Sequence, residues 1–128
     1  MPSITSFYAG LLALLFLALS ARVITYRRTH RLSLGDTGDK ALLKRMRTQA
    51  NCAEYTPIAI ILILILELGG ATPWLLHALG GGFLLGRLLH AYGLGSTPQN
   101  FLARQAGMIL TLMVIAISAA MAVVFALF

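Results

Sequence analysis

The sequence predicts an all-α integral membrane protein, a four-helix bundle of up-down topology, and three observations carry that prediction. First, 59% of the 128 residues are hydrophobic, 11% are charged and the mean hydropathy is +0.85. That is more apolar surface than a soluble domain of this size can bury. Second, four apolar stretches run near Ile4 to Thr25, Ala50 to Leu68, Trp74 to Tyr92 and Phe101 to Phe128. Each approaches the roughly 20 residues that a hydrocarbon core of about 30 Å requires. Third, the ten Lys and Arg residues all fall on one side of this four-span reading: eight lie between Arg22 and Arg47, and the others are Arg87 and Arg104. The positive-inside rule then places both termini outside and puts the loops around residues 27 to 46 and 93 to 103 in the cytoplasm. Residues 1-128 read as a single domain.

The first stretch contains Ala18-Leu19-Ser20, which resembles a signal-peptide cleavage site, but its Met-Pro-Ser start lacks the basic n-region of such a peptide. We therefore read it as a retained helix. Arg27-Arg28-Thr29-His30-Arg31 leads into a polar stretch with two glycines, Gly35 and Gly38, the one long loop. Asp36 or Asp39 offers a carboxylate to cap the next helix, which should begin near Lys40. Leu42, Leu43 and Met46 alternate there with Lys44, Arg45 and Arg47, a pattern suited to the membrane surface. After the apolar run Ile58 to Leu66, Gly69 to Pro73 should turn tightly on the outer side, with Trp74 at the interface. Gly80, Gly81, Gly82 and Gly86 should let neighbouring helices approach closely in lipid. Gly93 to Pro98 should form the second inner turn.

A net charge of +6 and a pI near 10.3 would suggest nucleic acid in a soluble protein. Here the cations border membrane spans, no aromatic residues for stacking on bases are interleaved with them, and no nucleic-acid motif is present, so anionic membrane lipids are the expected partners. Cys52 is the only cysteine, which excludes an intrachain disulfide and reads as a small buried apolar residue. His30, His77 and His90 lie on different segments without the short spacing of a ligand pair, so no metal site is expected. Glu67 and His77 should meet near the outer turn.

Chemical information concentrates in Arg47-Thr48-Gln49-Ala50-Asn51-Cys52-Ala53-Glu54-Tyr55-Thr56-Pro57. Arg47, Asn51 and Glu54 share one helix face by their i, i+4 and i+7 spacing, with Tyr55 at its edge and Gln49 on the opposite side. Such a stripe cannot face lipid cheaply and must point into a bundle or a subunit interface. Spacing alone leaves two readings open: helix-joining hydrogen bonds with Arg47 neutralising Glu54, or a binding site. Pro57 should angle the stripe by kinking the helix. At the same depth on the third helix, Arg87 and His90 are i, i+3 neighbours. Arg87 is open to a snorkelling role toward the headgroups, His90 to a packing role, and Arg104 to contact with lipid phosphate.

The pattern Arg47-x-Gln49-x-Asn51-Cys52-x-Glu54-Tyr55-x-Pro57, with Val23-Ile24-x-x-Arg27-Arg28 before it and an Arg on the third helix after it, resembles the MAPEG family, membrane-associated proteins in eicosanoid and glutathione metabolism. The likeness covers nearly the full chain and is greatest to bacterial members. It implies a homotrimer in the bacterial inner membrane, with glutathione as co-substrate bound between subunits near the cytoplasmic face. Arg47 and Arg27 or Arg28 would pair the carboxylates of glutathione. Glu54 would take its ammonium, and Asn51, Tyr55 and His90 would complete the pocket. An arginine would hold the thiol as thiolate, with Arg104 the first candidate and Arg87 the second. The tyrosines that line the third helix in a characterised member are replaced here by His90 and Leu94.

The resemblance therefore implies a glutathione S-transferase or peroxidase acting on a lipophilic electrophile or hydroperoxide that arrives from the bilayer. A non-catalytic ligand- or partner-binding member is the alternative. A small transporter is a third class, but proton-coupled export wants an acidic residue central in the first helix, and Ile4 to Ala21 contains none.

Overall fold

The structure, a computed structural model, describes residues 1–128 and consists of four α-helices with no strand: α1 (Ser3–His30), α2 (Lys40–Leu68), α3 (Pro73–Gly95) and α4 (Phe101–Leu127). The connections are too short to cross the bundle, so successive helices run up and down. The helices α2 and α3 form the central pair. Each packs against both α1 and α4, which do not touch each other.

Three of the helices, α1, α2 and α4, are long and apolar enough to cross a membrane. The fourth helix, α3, carries Arg87, His77 and His90, which lower its hydropathy. It compensates by being the most enclosed element, with ten buried residues. Elsewhere the burial pattern is that of a protein solvated by lipid. Only 25 of the 128 residues are buried, while Leu14, Leu17, Ile61, Ile109 and many other large apolar side chains stay exposed.

Helix ends follow local chemistry. Asp39 caps α2 by accepting hydrogen bonds from the Ala41 and Leu42 N–H groups at 2.9 and 3.1 Å, so α2 begins at Lys40 as the sequence predicts. Asp36 instead accepts from Gly38 N–H within the loop. The expected end of the first span at Thr25 applies to the apolar run alone, because the helix continues to His30. It closes at Arg31, whose left-handed φ of 54° lets the following N–H of Leu32 reach the Arg27 carbonyl at 2.9 Å. The side chain of Asn100 caps α4 by accepting from Ala103 N–H.

At the end of the bundle that holds the α2–α3 turn, Glu67 and His77 do not meet. Glu67 accepts the Ile4 and Thr5 N–H groups at 3.0 and 2.7 Å, so a carboxylate on α2 satisfies donors left open by the first turn of α1. His77 instead faces the Tyr8 hydroxyl at 3.1 Å. The apolar core between these ends is formed by Leu12, Ala59, Ile63, Leu66, Leu76, Leu79, Phe83 and Val114. Cys52 is buried, as expected.

The glycines expected to bring helices together do so at two interfaces. A Cβ at Gly80 would overlap the Tyr8 ring of α1, and one at Gly86 would sit 3.0 Å from both the Gly107 carbonyl and Thr111 Oγ1 of α4. Gly93 and Gly95, read from sequence as turn residues, belong to α3 instead. Gly93 is pressed against the backbone of Arg104, and this contact continues the helix one turn past Tyr92. The close approach of α3 and α4 positions everything described next.

Candidate functional site

The polar stripe of α2 divides into two directions. Arg47 and Glu54 point outward and form an open ion pair at 3.7 Å, with side chains 57% and 53% exposed. Asn51 turns inward, and its side-chain oxygen accepts from Arg87 Nη1 across the α2–α3 contact. Gln49 lies on the other side, donating to Ser20 of α1 at 3.4 Å. The helix-joining reading therefore holds for Asn51, and Arg47 pairs with Glu54 as that reading expects, although both of these side chains remain exposed. The helix α2 runs on through Pro57.

Arg87 does not snorkel. It is 1% exposed, and its Nε and Nη2 donate to Thr111 Oγ1 of α4 at 3.0 and 2.7 Å. The Tyr55 and Phe83 rings flank the guanidinium at 5.3 and 6.0 Å. No carboxylate pairs with it. The charge is instead spread over neutral acceptors and aromatic faces, which ties α2, α3 and α4 together at one depth. Thr111, a hydroxyl inside an apolar helix and buried completely, was missed by the sequence reading. It lies one turn beyond Gly107, to whose carbonyl it also donates.

In front of this buried arginine lies an open cleft of about 430 Å³ between α2, α3 and α4. Arg47, Asn51, His90 and Arg104 supply its polar lining, joined by Gln105, while Leu94, Phe101 and Met108 form an apolar wall. Four of the nine residues singled out in the sequence thus share one cavity. The Arg104 guanidinium is half-buried, with Nη1 donating to Gln99 Oε1 at 3.3 Å. His90 is nearly enclosed. Glu54 stands beside the cleft through its pairing with Arg47, and Tyr55 lies against Arg87. Gln105, Phe101 and Met108 had no signal in the sequence beyond their place on the first turns of α4, and Leu94 of α3 was marked only as the replacement of a family tyrosine.

Arg27 and Arg28 are not brought to this cleft within one chain. Arg27 secures the α1–α2 loop, donating to the Gly35 carbonyl at 2.9 Å and contacting Met46 Sδ at 3.3 Å. Arg28 lines a shallow depression at the end of α1 with Arg27, Arg31, Leu32 and Ser33.

Chemically, the cleft presents two guanidinium groups, two side-chain amides and an imidazole, with a carboxylate alongside and three apolar side chains. It suits a small zwitterion carrying carboxylates that also bears or meets an apolar group.

Residues 5–124 match the MAPEG family. Two relatives named Inner membrane protein YecN, from Escherichia coli K12 and from E. coli O6:H1, are each 41% identical over 90 residues, covering 70% of this chain and 69% of theirs.

Proposed function

Because the chain belongs to the MAPEG family, we propose that it binds glutathione as co-substrate in the α2–α3–α4 cleft and either joins its thiolate sulfur to a lipophilic electrophile, by addition or with departure of a leaving group, or uses two glutathione molecules to reduce a hydroperoxide to the alcohol and water with formation of glutathione disulfide. The carrying observation is that Arg47, Asn51, His90 and Arg104 line a single cavity opening beside the exposed Arg47–Glu54 pair. Glutathione has two carboxylates, an ammonium and a thiol. Arg47 takes a carboxylate, Glu54 the ammonium and Asn51 a neutral hydrogen bond, while Arg104 faces the thiol and favours its ionised form. Tyr55 packs beneath, and Arg87 positions Asn51 rather than meeting ligand. Leu94, Phe101 and Met108 offer the apolar co-substrate a surface.

Exposed polar groups on a membrane helix support a homotrimer. Below Glu54, the stripe of α2 continues through Ile58, Ile61, Ile65 and Leu68, all exposed at the alternating three- and four-residue spacing of a helix seam. A neighbouring subunit on that seam would cover Glu54 and could bring its own Arg27 or Arg28 to the second carboxylate. We place the protein in the bacterial inner membrane, as the names of its relatives indicate for them, with both termini outside by the distribution of Lys and Arg.

The test is turnover of glutathione with a general electrophile or a lipid hydroperoxide by purified protein in detergent. Arg104→Ala should abolish turnover. Arg47→Ala should weaken glutathione binding by about 10- to 100-fold, the loss of a charge-assisted contact of about 1.5 to 3 kcal/mol. Unchanged affinity in Arg47→Ala would reject the binding mode. Binding without turnover in the wild type would favour the non-catalytic reading, to which the absence of a hydroxyl at Leu94 in the cleft wall lends weight.

A further inference from the structure

We propose that a second groove, at the basic end of α1 and lined by Arg22, Thr25, Tyr26, Thr29, His30 and Arg45, holds the headgroup phosphate of one anionic phospholipid. The groove has a volume of about 380 Å³. None of its residues lines the α2–α3–α4 cleft, so it stands or falls independently of the reading above.

One of its two arginines is held in place. The Arg45 guanidinium lies over the Tyr26 ring at 4.5 Å and is anchored by the Ala41 carbonyl at 3.1 Å. His30 stacks on the same ring with centroids 3.9 Å apart. Arg22 rests against Gly95 at the end of α3, is exposed, and makes no hydrogen bond or ion pair with any residue. The nearby carboxylate, Asp39, is already engaged: one oxygen accepts from the Tyr26 hydroxyl at 2.8 Å and the other from the two α2 N–H groups. Thr25 adds a hydroxyl that bonds no residue, whereas that of Thr29 donates to the Thr25 carbonyl at 3.0 Å. An unpartnered guanidinium that shares a groove with a second, fixed one and a free hydroxyl is a site for a phosphate oxyanion.

Depth and surroundings identify the source of that phosphate. The 28 residues of α1 extend about 42 Å against a hydrocarbon core of about 30 Å. The last eight or so, from about Arg22 to His30, therefore lie at headgroup level. Moving from Arg22 into the bilayer, the same face of α1 presents Ala18, Leu14 and Phe7, and the last two are 64% and 58% exposed. That face is not covered by α4. A soluble phosphate would use only the cationic end, whereas a phospholipid would lay its acyl chains along this apolar strip.

Native mass spectrometry of the detergent-solubilised protein, titrated with phosphatidylglycerol, phosphatidylcholine or free glycerol phosphate, tests the assignment. Phosphatidylglycerol should bind best. Each arginine contributes about fivefold, so Arg22→Gln with Arg45→Gln should weaken it about 25-fold. Arg31→Gln with Lys40→Gln removes the same charge outside the groove and should change affinity less than twofold. If Arg45→Gln compromises folding, Arg22→Gln alone carries the test, because that side chain bonds nothing in the protein. An equal loss in the control pair would replace the site with diffuse surface charge. Equal competition by free glycerol phosphate would make the ligand a soluble anion, and no loss in Arg22→Gln would leave the groove without a ligand.

Discussion

Arg87 has lost nearly all contact with solvent, yet it retains its hydrogen bonds through a backbone carbonyl, an amide and a hydroxyl drawn from two other helices. Removing it leaves the Asn51 oxygen buried without a donor, which costs about 1 to 3 kcal/mol. Arg87→Leu should therefore lower the melting temperature in detergent. The double variant Arg87→Leu/Asn51→Leu should recover part of that loss, because removing both partners leaves no orphan. No recovery would argue against this pairing. Asp39 illustrates a different residue-scale effect. The hydrogen bond from Tyr26, then that from the Leu42 N–H, holds its carboxyl below the ordinary value of 3.8. A depressed folded pKa contributes stability that is present above the unfolded value and is lost as pH falls through the folded one. Thermal melts between pH 5 and pH 3 should show a fall in the wild type that is reduced in Asp39→Asn, which retains a capping oxygen but cannot titrate.

At the scale of elements, the pairing of α3 with α4 has the least tolerance. A Cβ on Gly107 would overlap the backbone of His90 and the Gly86 carbonyl, atoms that cannot rotate away. Gly107→Ala should push the helices apart and cost about 1 to 3 kcal/mol by overpacking. It should also displace Thr111 from Arg87 and widen the cleft between His90 and Arg104. A melting temperature equal to that of the wild type would show that α3 and α4 are less tightly joined than described. The glycines of α3 were legible as packing positions because they cluster in an apolar span. Gly107 was not, because a lone glycine in α4 acquires meaning only when its partner across the interface is known. The same holds for Glu67: nothing in its own segment indicates that it satisfies the first turn of α1.

For the whole molecule, four helices, their order and the concentration of cations at one end follow from composition and periodicity, because lipid requires each span to satisfy its backbone internally and to turn apolar residues outward; the sequence narrowed the cap of α2 to Asp36 or Asp39, and the structure chose Asp39. The three- and four-residue spacing likewise revealed that Arg47, Asn51 and Glu54 occupy one stripe of α2. Rotation of that stripe against α3 was not determined there. Only the tertiary structure decided that Asn51 turns inward to a buried Arg87, that Arg47 and Glu54 stay open, that Arg104 joins them across the cleft, and that Arg27 and Arg28 do not. Spacing along one helix records which residues share a face. Which face meets which neighbour depends on helix packing, and here that is set by small residues such as Gly86 and Gly107 at positions distant in the chain.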